Sequence, residues 1–141
     1  PAGGRVFLSV RDDDKPAVVP IARSLVDMGF EVMTTSGTHA HLKRHGIETH
    51  ELPKISVGRP NAEDLIKNGE VALIINTPTR DGVGDEVRLR ATAVRFNVPM
   101  ITTMTAASVA AGAIAALRTG QWGVQALQDY FPCAAASEEP R

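Results

Sequence analysis

Strand and helix signals alternate along the chain, and that alternation predicts an α/β layer fold with a mainly parallel sheet. Two further observations point the same way. Residues 71–75, Val-Ala-Leu-Ile-Ile, are a continuous apolar run of the kind a parallel sheet buries on both faces. Each apolar run is also followed by hydroxyl, amide or lysine side chains, the groups that collect where ligands bind at the carboxyl edge of an open sheet.

Taken in order, residues 6–10 form the first strand. Asp12, Asp13 and Asp14 then offer an N-cap, and Pro16 suits a first helical turn. Val18, Ile21, Ala22, Leu25 and Met28 recur at three- and four-residue steps and give that helix one apolar face, which Gly29 ends. The second strand, 30–33, runs into Thr34-Thr35-Ser36-Gly37-Thr38, with a short helix after it closed by Gly46. A third strand is expected over 48–52, a loop over 53–59, and a helix opened by Pro60 and Asn61. Asn68-Gly69 is a turn before the buried strand 71–75. A glycine-bearing loop over 80–84 follows, then a helix capped by Asp85, a fifth strand at 98–101, and an alanine-rich helix expected to be buried. A last helix is expected at 124–131, and residues 132–141 mix Pro, Ala, Ser and Glu and are expected to fray. Residues 1–131 thus read as a single domain with a C-terminal tail.

The 141 residues suffice for one real core, and 43% hydrophobic content is ordinary for a globular chain. Aromatics are only 4%, so aliphatic residues must fill the interior. A net charge of -1, from 15 basic and 16 acidic residues, argues against a large basic nucleic-acid face. The lone cysteine, Cys133, rules out an intramolecular disulfide and a cysteine-cluster metal site. The first residues, Pro-Ala-Gly-Gly-Arg, carry no apolar signal core, and the small-residue stretch 106–117 is too short to span a membrane. Arg141 fits a natural C-terminus and Pro1 an internal start, so the sequence reads as the end of a longer polypeptide.

The candidate site is the set of strand ends: Ser9 with Lys15, Thr35 with Thr38, Lys54, Asn76 with Thr77, and Thr102 with Thr103. Hydroxyls, a glycine and free amides at a helix N-terminus suit a phosphate, and two lysines can supply countercharge. Asn76 both donates and accepts, as recognition of a ribose or base requires. Competing chemistries find little support. There is no G-x-x-x-x-G-K-[ST] motif, and the loop after the first strand is acidic, not glycine-rich. The three adjacent aspartates suit helix capping better than a cation. His41 and His45 have metal-pair spacing, but no carboxylate or cysteine nearby completes a set, so a solvated helix face is the expected reading. No nucleophile–histidine pairing has local support, so the expected site has binding groups and no catalytic residue.

Leu8-Ser9-Val10-Arg11 with Asp14-Lys15, followed by Thr34-Thr35-Ser36-Gly37-Thr38, resembles the methylglyoxal-synthase-like domain family. Lys54, Val57-Gly58-Arg59-Pro60-Asn61, Asp64, Ile66-Lys67-Asn68-Gly69-Glu70 and Ile74-Ile75-Asn76-Thr77 are more specific. They are similar to the C-terminal allosteric domain of carbamoyl phosphate synthetase large subunits, and the resemblance spans residues 5–120. It implies three layers, with a five-stranded parallel sheet flanked by helices, and a regulatory role instead of catalysis. In bacterial relatives the effectors are UMP as inhibitor, and IMP and ornithine as activators. By position, Ser9, Lys15, Thr35, Thr38 and Lys54 would hold the phosphate, Asn76 and Thr77 would face the ribose, and Thr102 matches an ornithine contact. The parent enzyme is implied to be an ATP-dependent ligase of pyrimidine and arginine biosynthesis. It would use ATP, Mg2+ and K+, work with a glutaminase small subunit, and reside in the cytoplasm.

Two departures bear on these implications. Pro78 stands where enteric relatives have a hydroxyl, and proline offers neither O–H nor N–H, so ribose contacts are expected to be rearranged. Met100 replaces a tyrosine of the enteric ornithine site, which leaves ornithine the least supported effector. Lys54 and the full Thr-x-x-Thr pair favour a nucleotide-regulated enzyme over the urea-cycle type, whose effector is N-acetylglutamate. Methylglyoxal synthase itself, acting on dihydroxyacetone phosphate, is the alternative; it needs an aspartate in a Gly-Gly-Asp loop after the third strand. That loop here reads Val57-Gly58-Arg59-Pro60-Asn61-Ala62-Glu63-Asp64, so the base is not where that chemistry wants it. An assembly module is the third reading, since family members also associate through this domain.

Overall fold

The computed structural model describes residues 4–78 and 83–118. Its strands are β1 (Arg5–Ser9), β2 (Glu31–Thr34), β3 (His50–Glu51), β4 (Leu73–Asn76) and β5 (Met100–Ile101). Its helices are α1 (Lys15–Asp27), α2 (Ser36–Arg44), α3 (Ala62–Lys67), α4 (Val83–Arg95) and α5 (Met104–Arg118). The strands form one sheet in the order β3-β2-β1-β4-β5, and every pairing is parallel. The five-stranded α/β expectation therefore holds.

Alternation along the two central strands divides the core into two halves. Val6 and Leu8 of β1, with Leu73 and Ile75 of β4, pack against Val18, Ile21 and Leu25 of α1 and against Ala107, Ala111 and Ile114 of α5. Phe7 and Ile74 point to the opposite face, where Leu65 and Ile66 of α3 meet Leu89 and Ala93 of α4. Because β1 and β4 are covered on both sides, Val6, Phe7 and Leu8 and then Leu73, Ile74 and Ile75 are apolar without interruption, and polar residues stand only at the strand ends. Each buried aliphatic side chain contributes about 1.5–3 kcal/mol relative to exposure. Two slabs of this kind fix the strand ends rigidly relative to one another.

The sheet order reverses at β1. The chain steps outward through β2 and β3, then returns to place β4 on the other flank of β1. Such a switch point opens a crevice between the two carboxyl ends, because the connections leave in opposite directions. Ser9 and Asn76 are register partners at that crevice.

Several local expectations are corrected. Asp12–Asp14 form a 3-10 turn, and neither Arg11 nor Asp14, at the N-cap positions of the turn and of α1, makes a side-chain capping bond. The carboxylates of Asp12 and Asp14 pair instead with Lys15 and Arg11, whose opposite charge competes better than a backbone amide. Asp85 lies inside the first turn of α4 and does not cap it. Ser36, Gly37 and Thr38, expected before the second helix, are its first turn. The alanine-rich α5 buries only one face, Ala107, Ala111 and Ile114, while Val109 and Leu117 are exposed. All five strands start later or end earlier than the segments that suggested them. Asn61 does open α3, through a capping box with Asp64, and Thr103 Oγ1 accepts the Ala106 N–H at 3.2 Å at the start of α5. Helix 124–131, the tail 132–141 and Cys133 lie outside the described residues. Among the described residues no helix is long and apolar enough to cross a membrane.

Candidate functional site

A cleft of about 1020 Å³ opens at the β1/β4 switch point, and Ser9, Lys15, Thr35, Thr38, Lys54 and Asn76 all line it. Six positions from four separate chain segments therefore meet in one place. Thr77 and Thr102 do not join them. Thr77 is buried, and its hydroxyl accepts the Arg11 N–H at 2.8 Å, bracing the segment after β1. Thr102 is exposed at the end of the edge strand β5 and is not part of the cleft wall.

The threonine turn explains why the cleft suits an anion. Thr35 occupies the N-cap position of α2 with extended backbone, yet its side chain caps nothing. Its hydroxyl lies 3.2 Å from Ser9 Oγ instead. The first-turn amides of Ser36, Gly37 and Thr38 have no intrahelical acceptor, as at any helix start, and here the cap side chain leaves them unserved. Thr38 is buried, and its Oγ1 accepts the Val10 N–H at 3.3 Å, which locks this helix end to the crevice.

Lys15 reaches the same place from the start of α1. A Cβ built on Gly37 would lie 3.4 Å from Lys15 Nζ, an ordinary van der Waals contact, so the ammonium sits directly beside the turn. A cation beside the positive end of a helix dipole is unfavourable unless a negative charge joins them. Asp12 supplies one: its carboxylate pairs with Lys15 Nζ, and the Lys15 hydrogen bond holds the Asp12 carboxyl below its ordinary range. The Lys15 side chain is 15% exposed and that of Asp12 is 92% exposed. The pairing anion is thus a solvent-exposed surface group.

Across the cleft Lys54 stands exposed on the loop after β3 and makes no ion pair among the described residues. Asn76, at the end of β4, is buried, and its Nδ2 has no hydrogen-bond partner. An unsatisfied buried donor costs about 1–3 kcal/mol, which an acceptor entering the cleft would recover. Phe7, Ile55, Ala62 and Leu89 add apolar wall, and Pro78 lines the cleft where no side-chain hydrogen bond is available.

Some participants were not anticipated from sequence. Asp12 as a partner for Lys15, and Ser56 with Asp85 at the mouth, carry no local motif; the i, i+3 spacing of Asp12 and Lys15 is the one signal that could have suggested the first. His41 also departs from the solvated reading. It is half-buried with its Nε2 out of contact with any partner, and burial, then His45, Arg44 and Lys15, lower its pKa. His45 Nδ1 lies 3.0 Å from the His41 carbonyl oxygen. Among the described residues no group of three His, Cys, Asp or Glu side chains could hold a metal.

Comparisons with known proteins bear on the family and the fold. A family model described as the MGS-like domain matches residues 17–102. The chain is 44% identical over 137 residues to a carbamoyl phosphate synthase large chain of Myxococcus xanthus, covering 96% of this chain and 13% of that one. It is 47% identical over 131 residues to a carbamoyl phosphate synthase large chain, C-terminal section, of Methanopyrus kandleri, covering 92% and 24%. This chain therefore spans less than a quarter of the length of either relative. In structure it is similar to a methylglyoxal synthase from Elizabethkingia anophelis, with a TM-score of 0.63 over 79% of this chain and 78% of that one. At 15% identity that likeness speaks for the fold alone.

Proposed function

Because the chain belongs to the MGS-like domain family, we propose that it is the effector-binding regulatory domain of a carbamoyl phosphate synthase large chain, and that the β1/β4 cleft takes a nucleoside monophosphate. The observation that carries this reading is the meeting of Lys15, Lys54 and the uncapped Thr35–Thr38 turn around one cleft. Lysine ammoniums, hydroxyls and helix-start amides are together the donor set a phosphoryl group accepts from. Asn76 lies on the same wall with a free donor, suited to a ribose or base acceptor. UMP as inhibitor and IMP as activator are the proposed effectors.

Ornithine is a weaker candidate, since Thr102 stands apart from the cleft and Met100 offers no hydroxyl. Thr77 acts on the ribose only indirectly, through the Arg11 segment. The whole protein is proposed to be a cytoplasmic, ATP-dependent ligase using Mg2+ and K+ with a glutaminase small subunit, in pyrimidine and arginine biosynthesis. Self-association through this domain is compatible with that role. Residues 132–141 are proposed to be a tail to the effector domain.

The dihydroxyacetone phosphate lyase reading is disfavoured by the loop after β3. Its aspartate, Asp64, completes the capping box of α3 and bonds the Arg59 guanidinium at 2.6 Å. Arg59 and the Asn61 amide hold that carboxyl below its ordinary range, making it a poor general base. In regulation, effector binding changes the contacts this domain makes with the catalytic body; couplings of this kind are typically about 1–3 kcal/mol.

Calorimetric and thermal-shift titration with UMP, IMP and ornithine, repeated on Lys54→Ala, tests the reading. A ligand at a hundred times its Kd should stabilise the wild-type fold by about 2.7 kcal/mol. The variant should need far more ligand for the same shift. Equal shifts in both proteins, or turnover of dihydroxyacetone phosphate, would overturn it.

A further inference from the structure

We propose that Asp85 is a positioning residue for Lys54, tying the loop that carries this lysine across the cleft mouth to the first turn of α4. The inference rests on the anion-binding reading of the cleft. Asp85 Oδ2 accepts the Ser56 hydroxyl at 3.0 Å and, at a longer 3.4 Å, the Ser56 backbone N–H. Both residues line the cleft.

Lys54 and Ser56 belong to one tight turn. The N–H groups of Val57 and Gly58 both donate to the Lys54 carbonyl, at 2.9 and 3.2 Å. Holding Ser56 therefore holds the Lys54 backbone. The far end of the loop is already anchored, since Asn61 Nδ2 donates to the Gly58 carbonyl at 2.8 Å and Asn61 caps α3. Between these anchors the loop is exposed at Lys54, Ser56 and Val57, and Val57 is 74% exposed. Ile55 packs against the core half that holds Leu52 and Ala62, and the exposed tip at Ser56 and Val57 lies beyond that contact. The Ser56–Asp85 bond supplies a fixed point there, on the cleft that Lys15 and the Thr35 turn also line.

The location of Asp85 makes the role testable by sign. A carboxylate on the wall of an anion site opposes the ligand by Coulomb repulsion, so removing its charge alone should tighten binding. A tie predicts the reverse whenever the acceptor is lost with the charge. Asp85→Asn removes the charge and keeps an acceptor oxygen. Asp85→Ala removes both, and Ser56→Ala removes the hydroxyl donor without touching any charge. Ser56 is exposed and Asp85 partly so, so none of these changes opens a cavity in the core.

The experiment uses two readouts on the chain. The first is amide hydrogen exchange at Val57 and Gly58 without ligand; the second is the Kd for UMP by calorimetry, with inorganic phosphate as a minimal competitor. Asp85→Ala and Ser56→Ala should speed exchange at both amides and weaken UMP by about fivefold to tenfold, the scale of one hydrogen bond. Asp85→Asn should leave exchange slow and UMP binding equal or tighter. Unchanged exchange in both alanine variants would overturn the tie, whatever the nucleotide does. UMP binding that tightens in Asp85→Ala as much as in Asp85→Asn would overturn the positioning role and leave only repulsion. If UMP binding is insensitive to Lys54→Ala while exchange responds as expected, the tie stands. The anion reading of the cleft, and with it the positioning of Lys54 for a ligand, then falls.

Discussion

Strand β1 brings a cation to each of its ends, and the two are handled differently. At the amino end Arg5 donates from Nε to Glu31 on β2 at 2.7 Å and also pairs with Glu70 on the turn before β4. Two carboxylates from neighbouring segments answer one guanidinium, and Arg5 holds the Glu31 carboxyl below its ordinary range. At the carboxyl end Lys15 has one surface carboxylate for company, Lys54 makes no ion pair among the described residues, and the Asn76 amide is unsatisfied. One end is electrostatically closed, and at the other a buried amide donor is left unanswered. The sheet is the same, so the difference lies in what the connections carry. The switch point puts a helix start and two lysine-bearing segments at the carboxyl edge alone.

The largest effect should come from a change that abolishes both ends together. Ile74→Ala cuts into fully buried packing between β4, α3 and α4, and should cost about 2–5 kcal/mol in denaturant unfolding. Nucleotide binding and the Arg5 pairing should disappear with the fold. Next, Lys15→Ala and Lys54→Ala should each raise the UMP Kd by about tenfold to a hundredfold, the range for hydrogen bonds to charged groups. Denaturant midpoints without ligand should hardly move. Asn61→Ala, which removes the cap of α3, should cost about 1 kcal/mol and loosen the Lys54 loop at its anchored end.

Smaller effects sharpen the contrast. Asp12→Asn should tighten UMP severalfold, because the displaceable partner of Lys15 is gone. Arg5→Ala should leave the UMP Kd unchanged and lower Tm only slightly, as exposed ion pairs contribute little. The pH dependence separates the ends further. The lowered Glu31 carboxyl contributes stability that is present above its unfolded value and lost as pH falls through the folded one. That acid-side slope should shrink in Arg5→Ala and persist in Lys54→Ala. Binding of UMP should weaken earlier, as the phosphate loses its second charge near a pKa of about 6.

Much of the fold was legible because periodicity reports burial directly. The run ending in Ile74-Ile75 is apolar since both sheet faces are covered, and the α1 face is spaced as a one-sided helix must be. The candidate site was legible to the extent that strand ends share an edge in any parallel sheet. Ser9, Thr35, Lys54 and Asn76 follow from that topology. What sequence did not disclose were competitions between partners close in energy. Asp12 chose Lys15 over a helix amide, Thr35 turned to Ser9 and left its own helix uncapped, and Asp85 took Ser56 from a loop 29 residues away. Thr77 and Thr102 show the limit of the strand-end rule: both follow strands, yet one braces a backbone amide and the other lies outside the cleft wall.

A crystal structure of the chain with UMP tests the central claim most directly. The account predicts phosphoryl oxygens among Lys15, Lys54 and the first-turn amides of α2, with Asp12 displaced from Lys15. A nucleotide seated elsewhere, with the Lys15–Asp12 pair intact, would contradict it.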